Sequence, residues 1–135
     1  MDISIPSAVI SVIISAIVSL AVTYWNNKNN SKKHLDDQLD AILKISIQYL
    51  YLESEKFTKS WSENKNSDEE KYLRYDVYCI LLFNYLSRVC EFFSYNSSKV
   101  ENFIGIKDWV RLHKDYWQNP CSSYENVDGY DKKFR

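Results

Sequence analysis

Five hydroxyl side chains, Ser7, Ser11, Ser15, Ser19 and Thr23, recur at every fourth residue of a segment otherwise built from Ile, Val, Leu and Ala. A helix turns about 100° per residue, so this spacing drifts only ~40° per step and sets the hydroxyls in a slowly winding stripe. Bulky side chains avoid the stripe: Ile10, Ile13, Ile14, Ile17, Leu20 and Tyr24 fall in an opposite arc of roughly 120°. No base accompanies these hydroxyls, so their chemistry is contact and hydrogen bonding. Small residues let a neighbouring helix approach closely, crossing at about −40°. Alternatively they face a water-filled path through a ring of copies, or each bonds the carbonyl four residues back. Helix packing is the first reading and pore lining the second.

Elsewhere the groups that do chemistry are sparse. His34 and His113 are the only imidazoles, and neither has a second histidine or a cysteine at metal-ligand spacing. Both read as surface or packing residues. Asp36-Asp37 and Glu69-Glu70 sit beside expected helix starts, where carboxylates favour the dipole and stay solvated. With Gly105 and Gly129 the only glycines, a glycine-rich phosphate loop is excluded. The expectation is no catalytic residue, no metal and no cofactor, hence no enzyme. A second cluster is electrostatic: Lys107, Arg111 and Lys114 share an arc of ~60° beside Trp109, Leu112, Tyr116 and Trp117. The tail adds Tyr130, Lys132, Lys133, Phe134 and Arg135. Interspersed Asp108, Asp115, Asp128 and Asp131 nearly cancel this charge, so the plain reading is a solvated amphipathic helix.

The elements that must position these groups begin with the span. No ionisable side chain occurs from Ile3 to Trp25, and about 23 residues at ~1.5 Å each cover a hydrocarbon core of ~30 Å. Pro6 is tolerated in the first turn. Tyr24 and Trp25 suit the headgroup level, and Lys28, Lys32 and Lys33 follow them. The positive-inside rule then places the N-terminus outside and the remainder in the cytoplasm. Residues 1–25 form the transmembrane anchor, 26–31 a polar junction expected to act as a hinge, and 32–135 a cytoplasmic helical domain with a C-terminal tail.

Within the domain, Leu35, Leu39, Leu43, Ile47, Leu50, Phe57 and Trp61 predict one long amphipathic helix starting near Ser31 or Lys32. Ser67 to Glu70 has the form of a capping box, opening a central helix from Tyr72 to Tyr95 that is apolar almost all round. Arg88 and Glu91 are spaced to pair with each other. Ser97 and Ser98 with Glu101 form another capping signal, Gly105 permits a break, and Ile106 to Gln118 reads as a last helix ended by Asn119-Pro120. Asp128-Gly129 signals a turn. Three cysteines in a cytoplasmic domain are expected as thiols, and Cys79 and Cys90, eleven residues apart on one helix, cannot bridge. The fold class is all-α: one transmembrane helix, then a compact bundle of about three main helices. The formal charge of −1 announces no nucleic acid by itself.

In plan the chain resembles the small single-pass bacterial membrane proteins that accompany anti-phage defence operons, with Hailong-type effectors the nearest in architecture. The resemblance rests on the anchor through Trp25, the aromatic helix Tyr72 to Tyr95, and the segment Asp108-Trp109-Val110 through Tyr116-Trp117. It implies a tetrameric channel in the inner membrane, controlled by an oligonucleotide or nucleotide signal from a companion enzyme. Lys107, Arg111, Lys114, Lys132, Lys133 and Arg135 would then contact phosphates, and Tyr116, Trp117 or Tyr130 would stack on bases. A non-conducting membrane adaptor that recruits a protein partner is the alternative.

Overall fold

The computed structural model describes residues 7–121 and 129–135. Pro6 and Asp128 lie outside them, as does the side chain of Ser7. All regular structure among the described residues is helical. By its contacts the chain divides into one unit over residues 1–34 and a second over 35–135.

Helix α1 is assigned over Ser7–Gln48. A separate helix starting near Ser31 or Lys32 is therefore not found: the backbone stays helical through Asn26 to Ser31. Asparagine costs a helix only a few tenths of a kcal/mol per residue, and no glycine or proline interrupts the run. In the first unit every described side chain from Ala8 to His34 is exposed, including Ile13, Ile14, Ile17 and Leu20 at 52%, 56%, 61% and 72%.

The second unit begins with the C-terminal part of α1, which buries Leu35, Ile42 and Ser46. The expected continuation of this helix to Trp61 does not occur. Tyr49 leaves helical geometry at φ −129°, ψ 72°, and a 3-10 turn follows over Leu50–Glu53. Ser54 is extended, and two single-turn helices come next, α2 (Glu55–Thr58) and α3 (Trp61–Asn64). The bend brings Leu52, Thr58 and Trp61 into the core, whereas a straight helix over the same residues would point Leu52 and Trp61 in opposite directions.

Helix α4 (Glu70–Phe92) is the spine of this unit. Tyr72, Tyr75, Tyr78, Cys79, Leu82, Phe83, Tyr85, Leu86 and Val89 are buried on one side. Contrary to a helix enclosed all round, Leu73, Val77, Ile80 and Leu81 remain 55%, 58%, 40% and 45% exposed. Ser67 does not complete a capping box: its hydroxyl accepts from the Glu69 amide at 3.2 Å, and Glu69 itself occupies the cap position. Past Phe92 the chain reverses through Ser94 and Tyr95, at φ 52° and 59°. Left-handed geometry without glycine costs about 1 kcal/mol or more per residue, held here by the Tyr95 amide donating to the Cys90 carbonyl at 2.7 Å.

Helices α5 (Ser97–Phe103), α6 (Ile106–Leu112) and α7 (Lys114–Gln118) close the unit. The cap of α5 is Asn96, whose side chain accepts from the Lys99 amide at 3.1 Å, rather than Ser97 or Ser98. Gly105 breaks the chain as expected, but the segment after it is two helices, interrupted at His113 (φ −101°, ψ 17°). The all-α expectation holds: after the long N-terminal apolar helix comes a compact region of several helices, with α4 the longest of them.

Candidate functional site

A core built on four α4 tyrosines is apolar in bulk but polar at each ring tip, and a buried hydroxyl left unpaired costs about 1–3 kcal/mol. The surrounding elements answer this need. Tyr78 lies within 2.8 Å of the Ser46 hydroxyl of α1 and donates to Oε1 of Glu53. Tyr75 meets His113 Nδ1 at 2.9 Å, and Tyr72 meets the Ser60 hydroxyl at 3.4 Å. Tyr116 donates to Asp76 at 2.7 Å. Among the described residues the Tyr85 hydroxyl has no hydrogen-bond partner.

Glu53 and His113 stand at the centre of this network. His113 is fully buried, with its Nε2 at 3.5 Å from Glu53 Oε1 and Cys79 Sγ at 3.9 Å from Nδ1. Trp109 Nε1 donates to Glu53 Oε2 at 3.2 Å. Burial pushes the Glu53 carboxyl up, but His113, Tyr78 and Trp109 together hold it below its ordinary value. Burial likewise pushes Tyr75, Tyr78 and the Cys79 thiol well up, so no thiolate or phenolate is at hand for nucleophilic work. One carboxylate therefore ties the 3-10 turn to α4 and α6. Sequence reading missed Glu53 altogether; the only available signal was a lone acid between Leu52 and a run of polar residues.

The second cluster is a hollow of about 300 Å³ floored by Phe83, Val100, Ile106, Val110 and Trp117, with Lys133 and Arg135 at its edge. A second, more open depression shares Ile106, Val110 and Trp117 with it and is lined by Lys107, Arg111 and Lys114. Five of the six expected cations thus line two hollows that share one apolar ridge, and Lys132 lines neither. Lys107 pairs with Glu101 at 2.8 Å and Arg111 with Asp108 at 3.3 Å. Among the described residues Lys114, Lys132 and Lys133 make no ion pair, and Lys133 lies 5.6 Å above the Tyr95 ring. The aromatic candidates divide. Tyr116 is 1% exposed and belongs to the core, so no base can stack on it as it stands. Trp117 is half-buried against Phe83, Tyr130 and Phe134, at centroid distances of 4.8, 5.4 and 5.8 Å. Those contacts seat the C-terminal segment on α7.

Of the hydroxyl stripe, Ser11, Ser15, Ser19 and Thr23 are all exposed on α1. The described residues hold no cluster of three or more metal-ligating side chains. Compared with known protein families, with curated proteins and with solved structures, the chain has no match.

Proposed function

We propose that this chain is a homo-oligomeric, single-span protein of the bacterial inner membrane, with its N-terminus outside and its helical domain in the cytoplasm. The copies form a gated channel or membrane lesion, and the defence role comes with the architectural resemblance. The observation that carries the reading is the unburied apolar part of α1: a run of Ile, Val and Leu exposed by 45% or more is suited to a lipid environment. The hydroxyl stripe along the same helix supplies a face for neighbouring spans or for water.

Interhelical hydrogen bonds in membranes average only ~0.6 kcal/mol, so the stripe alone does not specify a ring. The helical domain supplies the remaining assembly energy and the control. Ser11→Leu with Ser15→Leu is expected to reduce ion flux through reconstituted protein severalfold. Unchanged flux with intact assembly removes these positions from a pore wall. Assembly without any flux in the parent protein identifies the non-conducting adaptor instead.

The controlling ligand, in this reading, is a phosphate-bearing nucleotide or single-stranded oligonucleotide held at the ridge of Ile106, Val110 and Trp117. Lys114 and Lys133 supply charge there, Lys107 and Arg111 join by exchanging their carboxylate partners, and Lys132 follows from the neighbouring tail. Affinity for a short oligonucleotide should fall as salt rises, and Lys107→Gln with Arg111→Gln should flatten that dependence by about two charges. Affinity indifferent to salt sinks the phosphate contacts.

A further inference from the structure

The outward side of α4 carries a second pattern. Glu70, Arg74, Val77, Leu81, Asn84 and Arg88 follow one another at spacings of four, three, four, three and four, the heptad seam of a helix that packs against another helix. All six lie away from the buried side, and Val77 and Leu81 are 58% and 45% exposed. Leu73 and Ile80 widen the strip on one flank, at 55% and 40%. Ile45 of α1 and Tyr49 wall a groove that Leu73, Val77 and Leu81 share.

We infer that this seam is the contact between two copies of the chain, with the two α4 helices antiparallel about a two-fold axis at the level of Cys79. The proposal deepens the self-association in the proposed function and rests on it. In an isologous contact each residue meets its mirror position on the other copy. An axis at that level sets Val77 against Leu81 of the other copy, Arg74 against Asn84, and Glu70 against Arg88, each twice. Apolar residues therefore meet in the middle, an amide faces a guanidinium next, and opposite charges close both ends. A parallel pairing in register sets Arg88 against Arg88 and Glu70 against Glu70, which repel.

Arg88 fits this role because it makes no ion pair among the described residues, neither with Glu91 nor with any other acid. Glu70 pairs within the helix to Arg74, which also donates to the Tyr51 hydroxyl at 3.0 Å. Arg74 thus keeps a partner when Glu70 turns to the other copy. Four half-exposed aliphatic side chains with the groove wall supply several hundred Å² of apolar surface per copy. With the charged ends this approaches the ~800 Å² per partner of a standard interface.

The test uses the full chain in detergent, with the mass of the complex read by light scattering and helicity by circular dichroism. Val77→Asp and, separately, Arg88→Glu are expected to raise the dissociation constant about tenfold or more at unchanged helicity. Glu70→Arg alone should do the same, and Glu70→Arg combined with Arg88→Glu should restore association. That rescue is a result that a general loss of folding does not produce. A parent protein that associates while all these variants associate equally well overturns the seam but leaves self-association standing. Single variants that dissociate with no rescue in the double overturn the antiparallel register. A monomeric parent overturns both the seam and the oligomeric reading.

Discussion

Glu53→Ala is expected to lower the stability of the helical domain by about 2 kcal/mol, because it removes the acceptor of two buried or half-buried donors and the carboxylate nearest a buried imidazole. Tyr78 and Trp109 donate to this carboxylate, His113 Nε2 lies 3.5 Å from it, and Tyr78 keeps the Ser46 hydroxyl when it is lost. The side chain is 26% exposed, so water entering the vacated space returns part of the loss and keeps it below the sum of two unpaired groups. Glu53→Gln retains an acceptor and should lose less, about half as much. The pH dependence separates charge from shape. Because the folded carboxyl titrates below its ordinary value of 4.5, its stabilising share is complete above that pH and disappears as pH falls through the lowered value. The parent should therefore lose stability on acidification more steeply than either variant. Denaturant melts of the full chain in detergent, followed by tryptophan fluorescence at pH 7 and pH 4, check both statements. An alanine variant that melts with the parent at both values removes Glu53 from the centre of the network.

The same residues mark the boundary of what the sequence makes legible. An unbroken apolar run of about 23 residues is readable by its length, and a period of 3.6 is strong where a helix is long and one side is buried, so both the span and α4 are readable. Gly105 is readable as a break for the same local reason. Phe57 and Trp61 kept the helical period of α1 although the chain had already turned at Tyr49, since a short bend can return side chains to the same core by another route. Asn96 outcompetes Ser97 and Ser98 as a cap because the backbone turns one residue earlier, which depends on the left-handed pair Ser94 and Tyr95. Glu53 and His113 are 60 residues apart in sequence and meet only through the fold; nothing in their own neighbourhoods marks either. Tyr116 shows the opposite problem. Its helical position matched that of an exposed stacking ring, but the break at His113 turns it inward toward Asp76.

The largest effect is expected in the span. Ile14→Lys combined with Ile17→Lys places two ammonium groups near the middle of the apolar stretch, where each costs about 2.5–3.5 kcal/mol of insertion free energy. Together they should cost roughly 6 kcal/mol, enough to move most of the protein out of the alkali-resistant membrane fraction. Both positions lie in the bulky arc opposite the hydroxyls, so the change also separates the two faces. Ser11→Ala with Ser19→Ala removes hydroxyls without adding charge and should leave membrane integration intact. Fractionation of cells expressing each variant, with alkaline extraction of the membranes, reads the outcome. If the double lysine variant stays in the membrane, α1 is not the element that holds the chain there. The outward apolar face of α4 would then be the next surface to test against lipid, and the hydroxyl stripe would lose the environment that gives its spacing meaning.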